Sequence, residues 1–167
     1  MKVYINGSVG SGKTTLAKTI AAKLRIPRFE IDNFVWERQA ISDLRNSEKA
    51  RNKQFQQAVQ LPEWVIEGVY IGRTDKGLKR ADKIIFLDIP PYVRTCRISK
   101  RFIKQKLKLE TATYRQTLRI FYKRFGWNRY FETTMKPVFI QKLQPYQEKT
   151  FILNNQEGIT ALLEVTR

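Results

Sequence analysis

Apolar and polar positions follow two different periods along the chain. Short apolar runs occur at Lys2-Val-Tyr-Ile-Asn6, Arg28-Phe-Glu-Ile-Asp32, Glu63-Trp-Val-Ile-Glu67, Lys83-Ile-Ile-Phe-Leu-Asp88 and Thr150-Phe-Ile-Leu153. Their length and their bounding polar or glycine residues predict five short strands. Between them the period changes to that of a helix. Leu16, Ile20 and Leu24, with Ala17 and Ala21, predict a helix that Pro27 closes. Ser47 is a candidate N-cap for a helix running to about Gln60, with Phe55, Ala58 and Val59 on its apolar side and Pro62 behind it. Tyr92 to about Leu109 carries Val93, Cys96, Ile103 and Leu107 on one side. Leu118, Phe121, Tyr122 and Phe125 recur at helical spacing within residues 111–125, a pattern that Gly126 is expected to break. Val138, Phe139 and Leu143 follow Pro137 in a short helix, and Ile159, Leu162, Leu163 and Val165 mark a last one. Strands alternating with helices predict an α/β fold whose parallel sheet is covered on both faces. There is no repeat or low-complexity tract, and 167 residues fit a single domain.

Composition narrows the class. A hydrophobic content of 42% excludes a disordered chain. No apolar run approaches the roughly 20 residues that span a bilayer. The chain enters its first strand at once, so no signal peptide is expected, and the expected compartment is the cytoplasm, with no membrane partner. The single cysteine, Cys96, can form no internal disulfide and is expected to be a small buried apolar residue. One cysteine and no histidine make a zinc site a poor reading. The formal net charge is +17, and residues 94–149 concentrate it, with fifteen Lys/Arg against three Asp/Glu. Such a field favours anionic ligands: nucleotides, phosphorylated metabolites or nucleic acid.

The chemistry centres on Gly7-Ser8-Val9-Gly10-Ser11-Gly12-Lys13-Thr14-Thr15. This is a complete phosphate-binding loop, placed between a predicted strand and a predicted helix. Glycines let successive backbone N–H groups turn inward around a phosphate chain. Lys13 supplies a point charge to the outer phosphates, and the Thr14 hydroxyl can ligand Mg²⁺. The helix that follows adds the positive end of its dipole.

Other polar residues fall where strands end. Asp32 closes the second predicted strand, a position from which a carboxylate can orient or deprotonate an acceptor hydroxyl. Asp32 could equally begin a turn or cap the next segment. Glu67 and Asp88 compete to support the metal. Asp88 has the stronger local pattern; Glu67 is favoured if its strand lies beside the first. Arg97, Arg101, Lys104 and Lys108 share one helical face. Arg97 and Arg101, nearest the strand end, are candidates for a phosphate clamp. A solvated surface suffices for the two lysines. Trp127, Tyr130 and Phe131 stand among Arg119, Lys123, Arg124 and Arg129. Such interleaving can stack bases, although aromatics at helical spacing more commonly pack a core.

Taken together, the N-terminal loop, Glu30-Ile-Asp32-Asn-Phe-Val-Trp36, Trp64-Val-Ile-Glu67-Gly68-Val-Tyr70, Ile84-Ile-Phe-Leu-Asp88 and Arg97-x-x-x-Arg101 carry a resemblance. The chain resembles the adenylate-kinase-related P-loop family labelled "topology modulation protein" and, more broadly, is similar to nucleoside monophosphate and shikimate kinases. The resemblance implies a three-layer P-loop NTPase fold, with a five-stranded parallel sheet in the order 2-3-1-4-5 and a helical lid after strand four. It implies an acceptor-side helical segment at about residues 33–62 and a basic lid region at about 97–130. It puts Glu67 near the metal, Arg97 and Arg101 at the base of the lid, and the turn at residues 154–158 beside the nucleobase. Nucleoside monophosphate kinases follow their acid-glycine pair with Phe-Pro-Arg; here Val69-Tyr70-Ile71 stands in that place.

The expected activity is transfer of the γ-phosphoryl group of ATP, with Mg²⁺, to a small nucleotide-like or metabolite acceptor. Residues 7–15 would bind the nucleotide. Lys13, Asp32, Arg97 and Arg101 would be the catalytic residues, and Thr14 and Glu67 would serve the metal. Two alternatives remain at this level. One is a protein that binds or acts on nucleic acid through residues 94–149. The other is a nucleotide-gated binding protein that transfers nothing.

Overall fold

The structure is a computed structural model. It describes residues 1–37, 44–69, 75–107, 109 and 117–165, without the side chains of Trp36, Glu37, Gln156 and residues 163–165. Tyr70, Ile71, Lys108 and Thr111 therefore lie outside the described residues.

Strands β1 (Lys2–Gly7) and β2 (Arg28–Glu30) are followed by a two-residue pair, β3 (Trp36–Glu37) and β4 (Leu44–Arg45). Then come β5 (Trp64–Glu67), β6 (Lys83–Leu87) and β7 (Thr150–Leu153). The main sheet has five strands, ordered β2-β5-β1-β6-β7. All its pairings are parallel. Counted without the separate β3–β4 pair, that order is 2-3-1-4-5. Strand β1 takes the centre: Tyr4 and Ile5 are fully buried, as are their neighbours Val65, Ile66 and Ile84.

Side-chain alternation divides the core between two faces. Tyr4, Ile66, Ile84 and Phe86 face α3 (Glu48–Gln60), α4 (Asp75–Arg80) and α7 (Lys136–Leu143) through Phe55, Leu78 and Phe139. Val3, Ile5, Val65 and Ile85 face α1 (Lys13–Leu24) and α8 (Gln156–Val165) through Leu16, Ile20 and Ile159. This is the α/β architecture expected, with helices on both faces. No helix among the described residues is long and apolar enough to cross a membrane.

Several ends form as the local chemistry dictates. The Ser47 hydroxyl accepts from Ala50 N at 3.2 Å and starts α3. Thr117 does the same for α6 (Leu118–Tyr130), accepting from Ile120 N at 3.2 Å. Pro91 opens α5 (Pro91–Lys106), where its missing N–H costs nothing.

Other expectations need correction. The second strand stops at Glu30, and Asp32 sits in the first turn of a short helix, α2 (Ile31–Val35). Its carboxylate complements the helix dipole there. Gly126 does not break a helix. The chain runs helically from Leu118 to Leu143, passing through a π-helical turn at Phe131–Met135. Tertiary packing here outweighs the propensity cost of one glycine, about 1 kcal/mol. Cys96 is exposed, because the buried side of α5 is set by Arg94 and Ile98 instead. The aromatics divide. Phe131 and Phe139 belong to the core, whereas Tyr122, Trp127 and Tyr130 are exposed. Phe102, Phe121 and Phe125 pack on one another between α5 and α6, with Phe121 centroids 4.4 and 4.9 Å from the other two.

Candidate active site

The site is built on the loop between β1 and α1. Gly10 and Gly12 have φ of +78° and +95°, a region where a side chain is strained. At Gly10 the need is also steric, since a Cβ would lie 2.9 Å from the Arg94 carbonyl oxygen and 3.1 Å from Ile98. The loop is thus packed directly beneath α5. Gly12 is the N-cap of α1 and offers no side-chain acceptor, so the first backbone N–H groups of α1 have no side-chain cap and point into the loop.

At the carboxyl end of β5, next to β1, Glu67 is fully buried. Burial pushes its carboxyl above the usual carboxylate range; the Lys13 charge, the Thr14 hydroxyl and Arg28 pull it back, while Glu30 adds to the rise. Arg28 Nη1 lies 3.4 Å from Glu67 Oε1 and 3.6 Å from Glu30 Oε2. Among the described residues, Glu67 Oε2 has no hydrogen-bond partner. Asp88 is committed elsewhere, 2.6 Å from Lys136 Nζ. Of the two competing acids, Glu67 is the one that Lys13 and Thr14 act upon.

These donors suit a hard divalent cation: a threonine hydroxyl, and a buried carboxylate with one bare oxygen. Among the described residues no three acidic, histidine or cysteine side chains gather to form an all-protein metal cage.

Above the loop lies a cavity of about 600 Å³. Val9, Gly10 and Gly12 to Thr15 form its floor. Arg28, Glu30, Asp32 and Asn33 line one side, and Lys18, one turn into α1, lines it as well. Arg97, Ile98, Arg101 and Gln105 of α5 line the other, joined by Arg124 and Trp127 of α6. Arg97 is fixed on the loop itself: its Nη1 donates to the Ser11 carbonyl at 3.0 Å. Lys13, Thr14, Asp32, Arg97 and Arg101 are therefore brought to one cavity. Lys104 is exposed and does not line it. Among the described side chains of residues 154–158 none lines it either; there Asn155 Oδ1 accepts from Gly158 N at 2.8 Å.

The wall formed by α6 escaped the sequence reading. Asn128 is 5% exposed and ties three elements together. Its Oδ1 accepts from the Ser8 hydroxyl at 3.3 Å, and its Nδ2 donates to Thr95 at 3.4 Å. One turn on, Glu132 accepts from the fully buried Arg94, whose guanidinium also lies 5.5 Å from the Phe131 ring centroid. Burial holds the Arg94 pKa below the usual arginine value, and Glu132 opposes that shift. The clue to this wall was the run of cations and aromatics around Trp127; its register on α5 depends on distant partners.

The sequence matches no protein-family model and no curated protein. Solved structures do resemble it. Shikimate kinase from Bacteroides thetaiotaomicron is 17% identical, with a TM-score of 0.55 over 99% of this chain and 95% of the other. Shikimate kinase from Acinetobacter baumannii, in complex with shikimate, is 16% identical, with a TM-score of 0.61 over 98% and 89%. A sugar kinase from Janibacter sp. HTCC2649 is 16% identical, with a TM-score of 0.52 over 98% and 90%. None of these bears the label "topology modulation protein". What the likeness establishes is the architecture, and the chain has the fold of the small P-loop kinases.

Proposed function

We propose that this protein is a small single-domain kinase that moves the γ-phosphoryl group of ATP to a small acceptor bearing a hydroxyl or an anionic group. One observation carries the reading. Lys13 and Thr14 of the phosphate loop share one cavity with Arg97, Arg101 and Asp32, and the buried Glu67, whose Oε2 has no partner among the described residues, ends the strand next to the loop's own. Catalysis of phosphoryl transfer is chiefly positioning and charge stabilisation, and those groups supply both.

The N–H groups of residues 8–14 and the Lys13 ammonium hold the phosphates. Thr14 and Glu67 would hold Mg²⁺, Glu67 through water; the metal's chemistry is to neutralise charge on the outer phosphates. Asp32 orients the acceptor hydroxyl and takes its proton as the acceptor oxygen bonds to phosphorus and the bond to the ADP oxygen breaks. Arg97 and Arg101 offset negative charge on the moving group. Kinases of the same fold, one of them in complex with shikimate, support a small-molecule acceptor.

The test is ATP consumption across a panel of nucleosides, nucleotides, sugars and hydroxy acids, with the wild type beside Lys13→Ala. Acceptor-dependent turnover that Lys13→Ala abolishes is the expected result. Unchanged ATP affinity and turnover in Lys13→Ala would falsify the site. Tight ATP binding with no transfer to any acceptor would favour a nucleotide-gated binding protein.

A further inference from the structure

We infer that Trp127 is a specificity-determining residue of this site and that the acceptor presents a flat ring face, beside its anionic group, to the Trp127 indole. The inference rests on the kinase reading and deepens it.

Trp127 lines the cavity yet is 50% exposed, whereas Trp64 is fully buried in the core. An open indole on the wall of a polar cavity contributes nothing to the core and offers a broad apolar platform. It is held in place. The next residue, Asn128, is bonded to both Ser8 and Thr95, which fixes the rotation of α6 and keeps position 127 turned to the cavity. Its location selects the acceptor rather than the nucleotide. Ser8 begins the loop, while Thr15 and Lys18 line the cavity farther along α1. Asn128 anchors α6 at the β1 end of the loop, so Trp127 beside it is assigned to the acceptor side of the cavity.

The surroundings specify the rest of the ligand. Arg97, Arg101 and Arg124 line the same wall and favour an anion. Gln105 is 9% exposed, lines the cavity and has an Oε1 without a partner among the described residues, so it asks for an N–H or O–H donor. A ring with an anionic substituent and a hydrogen-bond donor meets all three demands. An aromatic base and a hydroxylated non-aromatic ring share that chemistry; an open-chain hydroxy acid lacks the face.

The experiment uses the full chain with saturating ADP and Mg²⁺, so that the nucleotide side is filled. AMP, UMP, shikimate and D-glycerate are titrated while indole fluorescence is followed in the wild type, Trp127→Phe and Trp127→Ala. At least one ring-bearing probe should change the emission of the wild type and not that of Trp127→Phe, with D-glycerate silent. A response to AMP and UMP identifies an aromatic base; a response to shikimate identifies a hydroxylated non-aromatic ring. In turnover, Trp127→Ala should raise KM for the ring-bearing acceptor about tenfold or more, as loss of a stacking platform does. Trp127→Phe should restore most of that affinity, and KM for ATP should stay unchanged. No ring-bearing probe responding, an equal response in Trp127→Phe, or a parallel rise in KM for ATP each overturns the inference. Those results leave the kinase reading standing if Lys13→Ala still abolishes turnover; loss of the Lys13 effect sinks the kinase reading itself.

Discussion

Arg97 Nη1 donates to the carbonyl oxygen of Ser11 at 3.0 Å, so a guanidinium of α5 is bound to the phosphate loop before any ligand arrives. The same side chain lines the cavity, where negative charge would develop. A preorganised cation contributes more than one that must be recruited, since the cost of ordering it is already met by folding.

Arg97→Ala should therefore lower kcat by roughly a hundredfold, the scale of losing one fixed electrostatic contact to a transition state. Arg97→Lys should recover only part, because an ammonium cannot span the Ser11 carbonyl and the phosphate together. Steady-state kinetics against ATP and acceptor would check both. A melting temperature close to wild type would show that the loss is catalytic.

Glu67 should separate activity from stability. Burial raises its native carboxyl value. The native chain then keeps a proton over a range where the unfolded chain has lost it. Within that range stability falls as pH rises, and above the raised native value it levels off. Glu67→Gln should remove this slope. It should equal or exceed the wild type in melting temperature near pH 7, while losing about 10- to 100-fold in Mg²⁺-dependent turnover. Melting curves from about pH 4 to pH 8 set beside Mg²⁺ titrations of activity would decide the matter, over the range in which carboxylates titrate. A Glu67→Gln variant that melts lower than the wild type at every pH would contradict the assignment.

Gly10→Ala tests the packing of the loop beneath α5. The new Cβ would meet the Arg94 carbonyl at 2.9 Å on a backbone with φ +78°. A side-chain rotation alone cannot relieve a clash with backbone. Destabilisation of about 1–3 kcal/mol is expected from the strained backbone, together with loss of nucleotide binding. Urea unfolding and ADP titration would measure the two effects separately.

Glu132→Leu leaves the buried Arg94 without its carboxylate partner. Uncompensated buried charge should destabilise the fold by about 3 kcal/mol, and Arg94→Met combined with Glu132→Leu should recover most of that loss. Chemical denaturation of the two single variants and the double variant closes the cycle. Additive losses would show that the pair is not coupled.

What the sequence made legible was local. The loop, its flanking strand and helix, the Ser47 cap and the strand at Thr150–Leu153 all follow from neighbouring residues. Glu67 could be preferred to Asp88 once the sheet order was in mind, and the Lys136 contact shows where Asp88 is spent. What escaped depends on chain brought from far away. Gly126 looked like a break because propensity does not register α5 packed alongside. Cys96 looked buried because the periodicity of α5 was assigned to its apolar residues, yet Arg94 goes inside on the strength of Glu132, 38 residues later. Trp127 looked like core because spacing alone does not distinguish the face that packs on a sheet from one that overlooks a cavity. Arg28, at the start of its strand, gave no sign that its guanidinium reaches Glu67.

The π-helical turn at Phe131–Met135 divides one long helix into two halves with separate duties. An extra residue in a turn rotates everything beyond it relative to what came before. Downstream, Phe139 and Leu143 belong to the sheet's core; upstream, Arg124 and Trp127 belong to the cavity. The cavity-facing Trp127 can thus be exchanged without unsettling the sheet's core, while Asn128 beside it keeps α6 anchored. A helix divided in this way lets the side chains that line the cavity be altered with the phosphate loop and the sheet left as they are.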